Sequence, residues 1–326
     1  MTVHHTTLDD AVTTAVSVSV VICCYTMDRR QNLDTATAAV LAQLRPGDEM
    51  IVVVDGNDLL YHDLQSTHGQ QMTVLQNAFR RGLSGARNTG LKQASREVVV
   101  FLDDDAVLHP AALDGVRTAF ADSEVTALGG AVHPEWHSGG EPLWFPPEFR
   151  WVVGCDYRGL ASDGAAIRTP IGAAMAVRRS DLAGIGGFSD RLGRVRSLPT
   201  GCEETLMGIE LSRRNPRARI IRHTAFAVSH AVPSDRTTLS YFVRRCFNEG
   251  RSKAILTRIC GRQASLHSER AYTTRTLPAG IWHARRRPSR MLALGAGLLV
   301  TTAGYLVGLV QTTKQGDVRW SESSAT

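Results

Sequence analysis

Four apolar runs constrain what this chain can fold into: VSVSVVICCY, MIVVVD, MTVLQN and EVVVFLDDD, rich in β-branched residues and bounded by polar or turn sequence. Helical stretches alternate with them, as LDTATAAVLAQL after the first run, SGARNTGLKQAS after the third and HPAALDGVRTAF after the fourth. Pro46-Gly47-Asp48 makes a turn before the second run, and Pro110 is expected in the first turn of the helix that follows the fourth. Strands that are apolar throughout and alternate with helices predict a parallel sheet covered on both faces. Ligands of such sheets bind beyond the carboxyl ends of the strands. Asp55 and the consecutive Asp103, Asp104 and Asp105 fall at those ends.

After Gly130 the chain turns rich in Trp, Pro and Gly, then resumes as TPIGAAMAVRRSDLAGIGGF, which reads as a strand and a short helix. GCEETLMGIELSRRNP reads as a helix with acids at its start, and ARIIRHTAFAVSHAV as one or two closing strands. The expected architecture is α/β, a mostly parallel central sheet with helices on both faces, over residues 17–235. A polar, Thr-rich tail over 1–16 precedes it. A basic helical region over 236–290, an apolar helix over 291–310 and a polar tail over 311–326 follow. With 43% hydrophobic residues the 326-residue chain can bury a sizeable core, which excludes disorder as its general state.

The net charge of +6 is concentrated late, in Arg244, Arg245, Arg251, Lys253, Arg258 and Arg262 and again in Arg285, Arg286, Arg287 and Arg290. A basic region of this kind meets nucleic acid, anionic lipid or a phosphorylated substrate, or simply forms a solvated face. Its neighbour decides. MLALGAGLLVTTAGYLVGLV carries no charge over residues 291–310, and about 20 apolar residues span a bilayer core. The alternative for this stretch is a buried helix. ARRRPSR beside it is the flank that the positive-inside rule places on the cytoplasmic side. A cell-membrane location with the α/β body on the cytoplasmic side follows, and anionic head groups account for the basic region without a nucleic-acid partner. Six cysteines without a CxxC pair fit a reduced compartment. MTVHHTTLDD lacks the positive start of a signal peptide, so secretion is not expected.

Three adjacent carboxylates at Asp103, Asp104 and Asp105 repel one another unless a cation balances them. Hard oxygen ligands with this charge suit Mg²⁺ or Mn²⁺ bridging to phosphates. In the alternative, one acid caps the next helix and the others face water. Glu203 and Glu204 form a second pair, either favouring a helix dipole or supplying a general base whose pKa its neighbour raises. Arg80-Arg81-Gly82-Leu83-Ser84-Gly85-Ala86-Arg87-Asn88 brings glycines, cations and a helix start together, an arrangement suited to a diphosphate or nucleobase. It is neither a P-loop nor a dinucleotide fingerprint. His230 is either a late metal ligand or a structural histidine.

In order, VSVVICCY, VVVDG, GLSGARNTGL, FLDDDA, PIGAAMAVRR, GGF and GCEE resemble the family 2 glycosyltransferases, which have the GT-A fold. The resemblance covers residues 17 to about 235. HAVPSDR and RRCFNEGRSKA, with an apolar tail behind them, look like a membrane-associated bacterial branch of glucosyl-dolichyl-phosphate glucuronosyltransferases. The resemblance implies an inverting, metal-dependent transfer of one sugar from a nucleotide-sugar donor to an acceptor hydroxyl. The acceptor would be a glycan or a polyprenyl-linked sugar at the membrane. Asp55 and the loop with Gly85, Arg87 and Asn88 would hold the nucleoside, with Asp103 and Asp104 also at the donor. Asp103, Asp105 and His230 would hold Mg²⁺ or Mn²⁺, and Glu204 stands where the family has its base.

The chain departs from the pattern at Thr26 and Met27, where an Asn is usual, and at Asp55-Gly56-Asn57 in place of Asp-Asp-Gly-Ser. Glu204 is one methylene longer than the family's Asp, which keeps Glu203 as a rival base. No QxxRW is present, so transfer of a single sugar is expected rather than processive synthesis.

Overall fold

A computed structural model describes residues 16–190, 192 and 201–314. Of the two expected polar tails, residues 1–15 and 315–326 lie outside the described residues.

The strands are β1 (Val18–Cys24), β2 (Glu49–Val54), β3 (Thr73–Gln76), β4 (Val98–Asp103), β5 (Ala106–Leu108), β6 (Val125–Trp136), β7 (Ala174–Arg178) and β8 (Arg219–Val232). They form one sheet in the order β3-β2-β1-β4-β7-β6-β8-β5. The four runs named from the sequence are β1 to β4, and they pair in parallel as expected. The other half is mixed. β7 runs antiparallel to β4 and to β6, β8 runs parallel to β6, and β5 pairs antiparallel with β8. ARIIRHTAFAVSHAV is one long strand rather than two.

Alternate residues of the parallel strands face two cores. Val20, Ile22, Val52, Val100 and Leu102 point to the side of helix α1 (Arg30–Leu41). Val21, Ile51, Val53, Val99 and Phe101 point to the side of α3 (Leu83–Gln93) and α6 (Glu203–Arg214). α2 (Asp58–His68) precedes α3 along the chain, and α4 (Ala112–Phe120) and α5 (Arg179–Gly184) come between α3 and α6. Asn57 caps α2 by accepting from the Leu60 amide at 3.0 Å. The fourth-run helix begins later than expected, because Pro110 stands two residues ahead of it and Ala111 adopts φ 61°. The His109 amide donates to the Ala227 carbonyl at 2.9 Å, which keeps the residue before the proline extended.

The C-terminal part is helical, as α7 (Leu239–Cys260), α8 (Arg262–Ala271), α9 (Leu277–His283) and α10 (Pro288–Lys314). Glycines let α7 and α10 touch backbone to backbone. Gly250 meets the Thr301 carbonyl, Gly304 meets the Phe247 carbonyl, and a Cβ at Gly308 would stand 2.7 Å from that of Ala254. Pro288–Gln311 is long and apolar enough to cross a membrane, by length and composition. The face of α10 turned away from α7 exposes Leu292, Leu299, Leu306 and Val310, each more than half accessible.

Candidate active site

Register builds the site. Cys24 lies opposite Val54 and Cys23 opposite Asp103, so β1, β2 and β4 end together and release Tyr25, Asp55 and Asp104 at one edge. A cavity of about 880 Å³ opens there, with Asp103, Asp104, Asp105, Asp55, Arg29 and Arg81 among its walls. Its volume lies in the range of small-molecule sites.

Asp103 ends β4, and Asp104 and Asp105 turn the chain into β5. Pairing of Ala106 with His230 then carries the β8 histidine to the acids. His230 Nε2 lies 3.1 Å from Asp105 Oδ1 and 4.0 Å from Asp103 Oδ2. Asp105 Oδ1 is buried, yet no aligned hydrogen bond reaches it among the described residues. The ligand atoms of Asp103, Asp105 and His230 lie within 4.8 Å of one another. Two carboxylates and an imidazole, facing each other closely without good hydrogen-bond alignment, fit a divalent cation between them.

Cations from the protein already surround these acids. Arg29, just before α1, donates from Nη1 to Asp104 Oδ1 at 2.7 Å and approaches Asp105 Oδ2 at 3.1 Å. Arg236 stands 3.7 Å from Asp105 Oδ2. Burial disfavours the charge on Asp105, but His230 and Arg29 prevail and hold its carboxyl well below the usual range. Burial likewise opposes the His230 cation, and Asp105 overrides it, holding the imidazole up at about 10. Asp104 goes the other way. Burial and the charge on Asp105 push it up to about 7.

Arg87 of α3 joins the acids of β4 to those of α6. Its side chain is 2% exposed, and Nη1 donates to Glu204 Oε1 at 2.9 Å while lying 3.7 Å from Glu203 Oε1. Nη2 lies 3.7 Å from Asp103 Oδ1 and donates to the Gly172 carbonyl at 3.4 Å. Gly172 has no room for a side chain, since a Cβ there would sit against Glu204 Oε1 and 2.6 Å from Arg87 Nη2. Glu203 and Glu204 open α6, as the sequence predicted, directly after Cys202 in a left-handed conformation at φ 75°. Five carboxylates (Asp103, Asp104, Asp105, Glu203 and Glu204) thus meet three guanidinium groups, from Arg29, Arg87 and Arg236. While it holds its proton, the His230 imidazole is a fourth cationic partner, and a divalent cation between Asp103 and Asp105 would take the place of that proton.

The remaining expected residues stand apart from this network. Asp55 is across the cavity, where its carboxylate accepts from Asn77 Nδ2 at 2.7 Å and from the Gly82 amide at 2.9 Å. Gly85 packs its α-carbon against the Arg80 carbonyl. Asn88 faces away from the cavity and clamps Phe188, donating to its carbonyl and accepting from its amide, both at 2.8 Å. Sequence reading passed over Arg29, Arg236 and Tyr25. The doublet Arg29-Arg30, directly after a strand that ends at the ligand edge, was the available signal for the first of them.

Residues 19–186 match the model of the family described as Glycosyl transferase family 2. The glucosyl-dolichyl phosphate glucuronosyltransferase of Haloferax volcanii is 30% identical over 242 residues, 73% of this chain and 77% of that protein. A mannosyltransferase from Pyrobaculum calidifontis, solved with GDP-Man and Mn²⁺, superposes with a TM-score of 0.57 at 20% identity, over 93% of this chain and 88% of the other. GalNAc-T7, solved with UDP, GalNAc and Mn²⁺, superposes with a TM-score of 0.51 at 13% identity, over 74% of this chain and 51% of that one. With its GT-A fold and its acids gathered where the strands end, this chain is a glycosyltransferase and belongs to family 2.

Proposed function

We propose that the enzyme moves a single sugar, with inversion at the anomeric carbon, from a nucleotide-sugar donor to a hydroxyl of a sugar linked to a polyprenyl phosphate. The observation that carries this reading is the bridge through Arg87, which ties Asp103 to Glu204 with one side chain. It sets the candidate metal site and the candidate base at a fixed separation, as a direct displacement requires.

Asp103, Asp105 and His230 would hold Mg²⁺ or Mn²⁺, whose chemistry is to balance the charge of the departing nucleoside diphosphate. Asp55, on the wall of the same cavity, would hold the nucleoside, with Arg81, which donates to the Gly56 carbonyl, beside it. Glu204 takes the proton from the acceptor hydroxyl, and Arg87 fixes the direction in which its carboxylate points. The acceptor attacks the face opposite the leaving group, which is why the configuration inverts. The acceptor class follows the Haloferax volcanii relative, whose name specifies a glucosyl-dolichyl phosphate.

Membrane association at the cytoplasmic face is part of the proposal, through the exposed apolar face of α10 and the basic turn Arg285, Arg286 and Arg287 before it. Packing favours an α10 that lies along the surface over one that crosses. Its far end meets Arg251 and Arg258 of α7, charges that a crossing helix would carry into the hydrocarbon.

The test is transfer from a panel of nucleotide sugars to a polyprenyl-phosphate-linked glucose, each with and without Mn²⁺, with product configuration read by NMR coupling constants. A retained anomeric configuration, or undiminished transfer after complete chelation of metal, would refute the mechanism.

A further inference from the structure

A trough runs between α7 and α10 and meets the catalytic cavity at one shared residue, Arg244. It measures about 690 Å³ and is walled by Leu239, Val243 and Phe247 of α7 and by Val300 and Ala303 of α10. Its origin is local. The glycine contacts hold the two helices at backbone distance, and the small side chains of Val300 and Ala303 leave space above that seam. Leu239 and Val243 are 59% and 44% exposed, an unusual apolar frontage for the first turns of a helix that is otherwise rich in charge.

Arg244 stands at the junction. Its guanidinium lies over the Tyr241 ring, 5.6 Å from the centroid, and no carboxylate among the described residues pairs with it. The adjacent Arg245, by contrast, is tied to Glu249 at 2.8 Å. Arg236 also lines the cavity, but it is buried and turned to Asp105. An exposed arginine without an acid partner is suited to a phosphate, which its planar fork can bind through two oxygens.

We propose that this trough seats the isoprenoid chain of the acceptor lipid, with the lipid's phosphate on Arg244 and the sugar beyond it inside the cavity. The inference rests on the lipid-linked acceptor proposed above and assigns it a binding place. The order of surfaces, apolar trough, exposed arginine, acid-lined cavity, repeats the order of groups along such a molecule. Leu299 and Leu306, on the exposed face of α10, continue the apolar surface outward, so the chain can enter sideways from a bilayer.

The experiment measures equilibrium binding of farnesyl phosphate, farnesol and inorganic phosphate to the full chain in detergent micelles. Val243→Trp and Ala303→Trp fill the trough, and Arg244→Gln removes its cation. Both tryptophan variants are expected to weaken farnesyl phosphate about tenfold, as the loss of a well-packed apolar seat implies. Arg244→Gln is expected to weaken farnesyl phosphate to a similar degree and to leave farnesol within about twofold. Val243 is exposed, so its variant carries the test if Ala303→Trp fails to fold, and Mn²⁺-dependent nucleotide binding reports folding in each. Unchanged farnesyl phosphate binding by both tryptophan variants overturns the trough while leaving the lipid-linked acceptor standing. Unchanged binding by Arg244→Gln overturns the phosphate assignment. If the wild-type chain binds no farnesyl phosphate yet transfers sugar to a soluble acceptor, the acceptor reading has failed and the trough falls with it.

Discussion

Arg87 Nη1 lies 2.9 Å from Glu204 Oε1, although 117 residues separate the two along the chain. The same guanidinium faces Glu203 and Asp103, so a single buried cation on α3 orients acids from two other elements, β4 and α6.

Glu204→Gln should retain donor binding and lose transfer by roughly two to four orders of magnitude, the worth of a positioned general base. Gln still accepts from Arg87, so orientation survives while proton uptake does not. Glu203→Gln, altering a carboxylate 3.7 Å from Arg87, should lose less. Single-turnover rates are the measurement, since slow product release can mask the chemical step. A dead Glu203→Gln beside an active Glu204→Gln would reverse the assignment within the pair.

Arg87→Ala should destabilise the fold by about 3–5 kcal/mol, because it strands buried carboxylates without their counter-charge. Arg87→Lys should recover only part of this, since one ammonium cannot serve partners on both sides of a planar fork. Denaturant titration compares the variants. A stability equal to wild type in Arg87→Ala would show that the acids are compensated elsewhere.

Asp105→Ala should abolish both turnover and the Mn²⁺-dependent part of nucleotide binding. His230→Phe should weaken the metal-dependent part while leaving metal-free nucleotide binding within about twofold, since the imidazole faces the acids of the candidate metal site. Calorimetry with UDP and GDP, with and without Mn²⁺, separates the two contributions. Full Mn²⁺ dependence in Asp105→Ala would place the cation elsewhere.

Acid should loosen the joint between the catalytic domain and α7. Burial works against the charges on Glu249 and Glu269, but Arg245 and Lys253 for the first, and Lys253 and Arg168 for the second, hold both carboxyls below 4.5. A depressed folded pKa contributes stability that is present above the unfolded value and lost as pH falls through the folded one. Melting temperature should therefore drop below about pH 4.5, and Glu269→Gln should flatten that acid limb. An identical acid limb in the variant would remove this pair from the account.

The full chain should sediment with membranes, and truncation after Arg287 should shift it to the soluble fraction. Alkaline carbonate distinguishes the modes of attachment, because a helix lying in the interface is released and a crossing helix is retained. A full-length chain that is monodisperse without detergent would argue for neither.

Legibility followed locality. β1 to β4 were visible because each is an unbroken β-branched run, and their acids were visible because strand ends carry ligands. β6 was not, since Gly129-Gly130 divides its apolar sequence, and a Cβ at Gly130 would strike the Phe226 carbonyl of the neighbouring strand. Three-residue β5 is too short to show a period, yet its pairing with β8 is what delivers His230. Arg87 and Glu204 were each legible as site residues, whereas their contact was not, because only the assembled sheet brings α3 and α6 together.

Gly172 offers no charge, no proton and no side chain, and still its surroundings make it one of the least replaceable positions of the site. A methyl group there would displace the Glu204 carboxylate as surely as a change to Glu204 itself, because the two compete for the same space. Gly172→Ala should then yield a chain that still binds nucleotide and turns over poorly, with a lowered melting temperature to the extent that Arg87 is displaced along with Glu204. In a mutational scan such a position would pass for a substrate contact, when what the enzyme requires of it is vacancy.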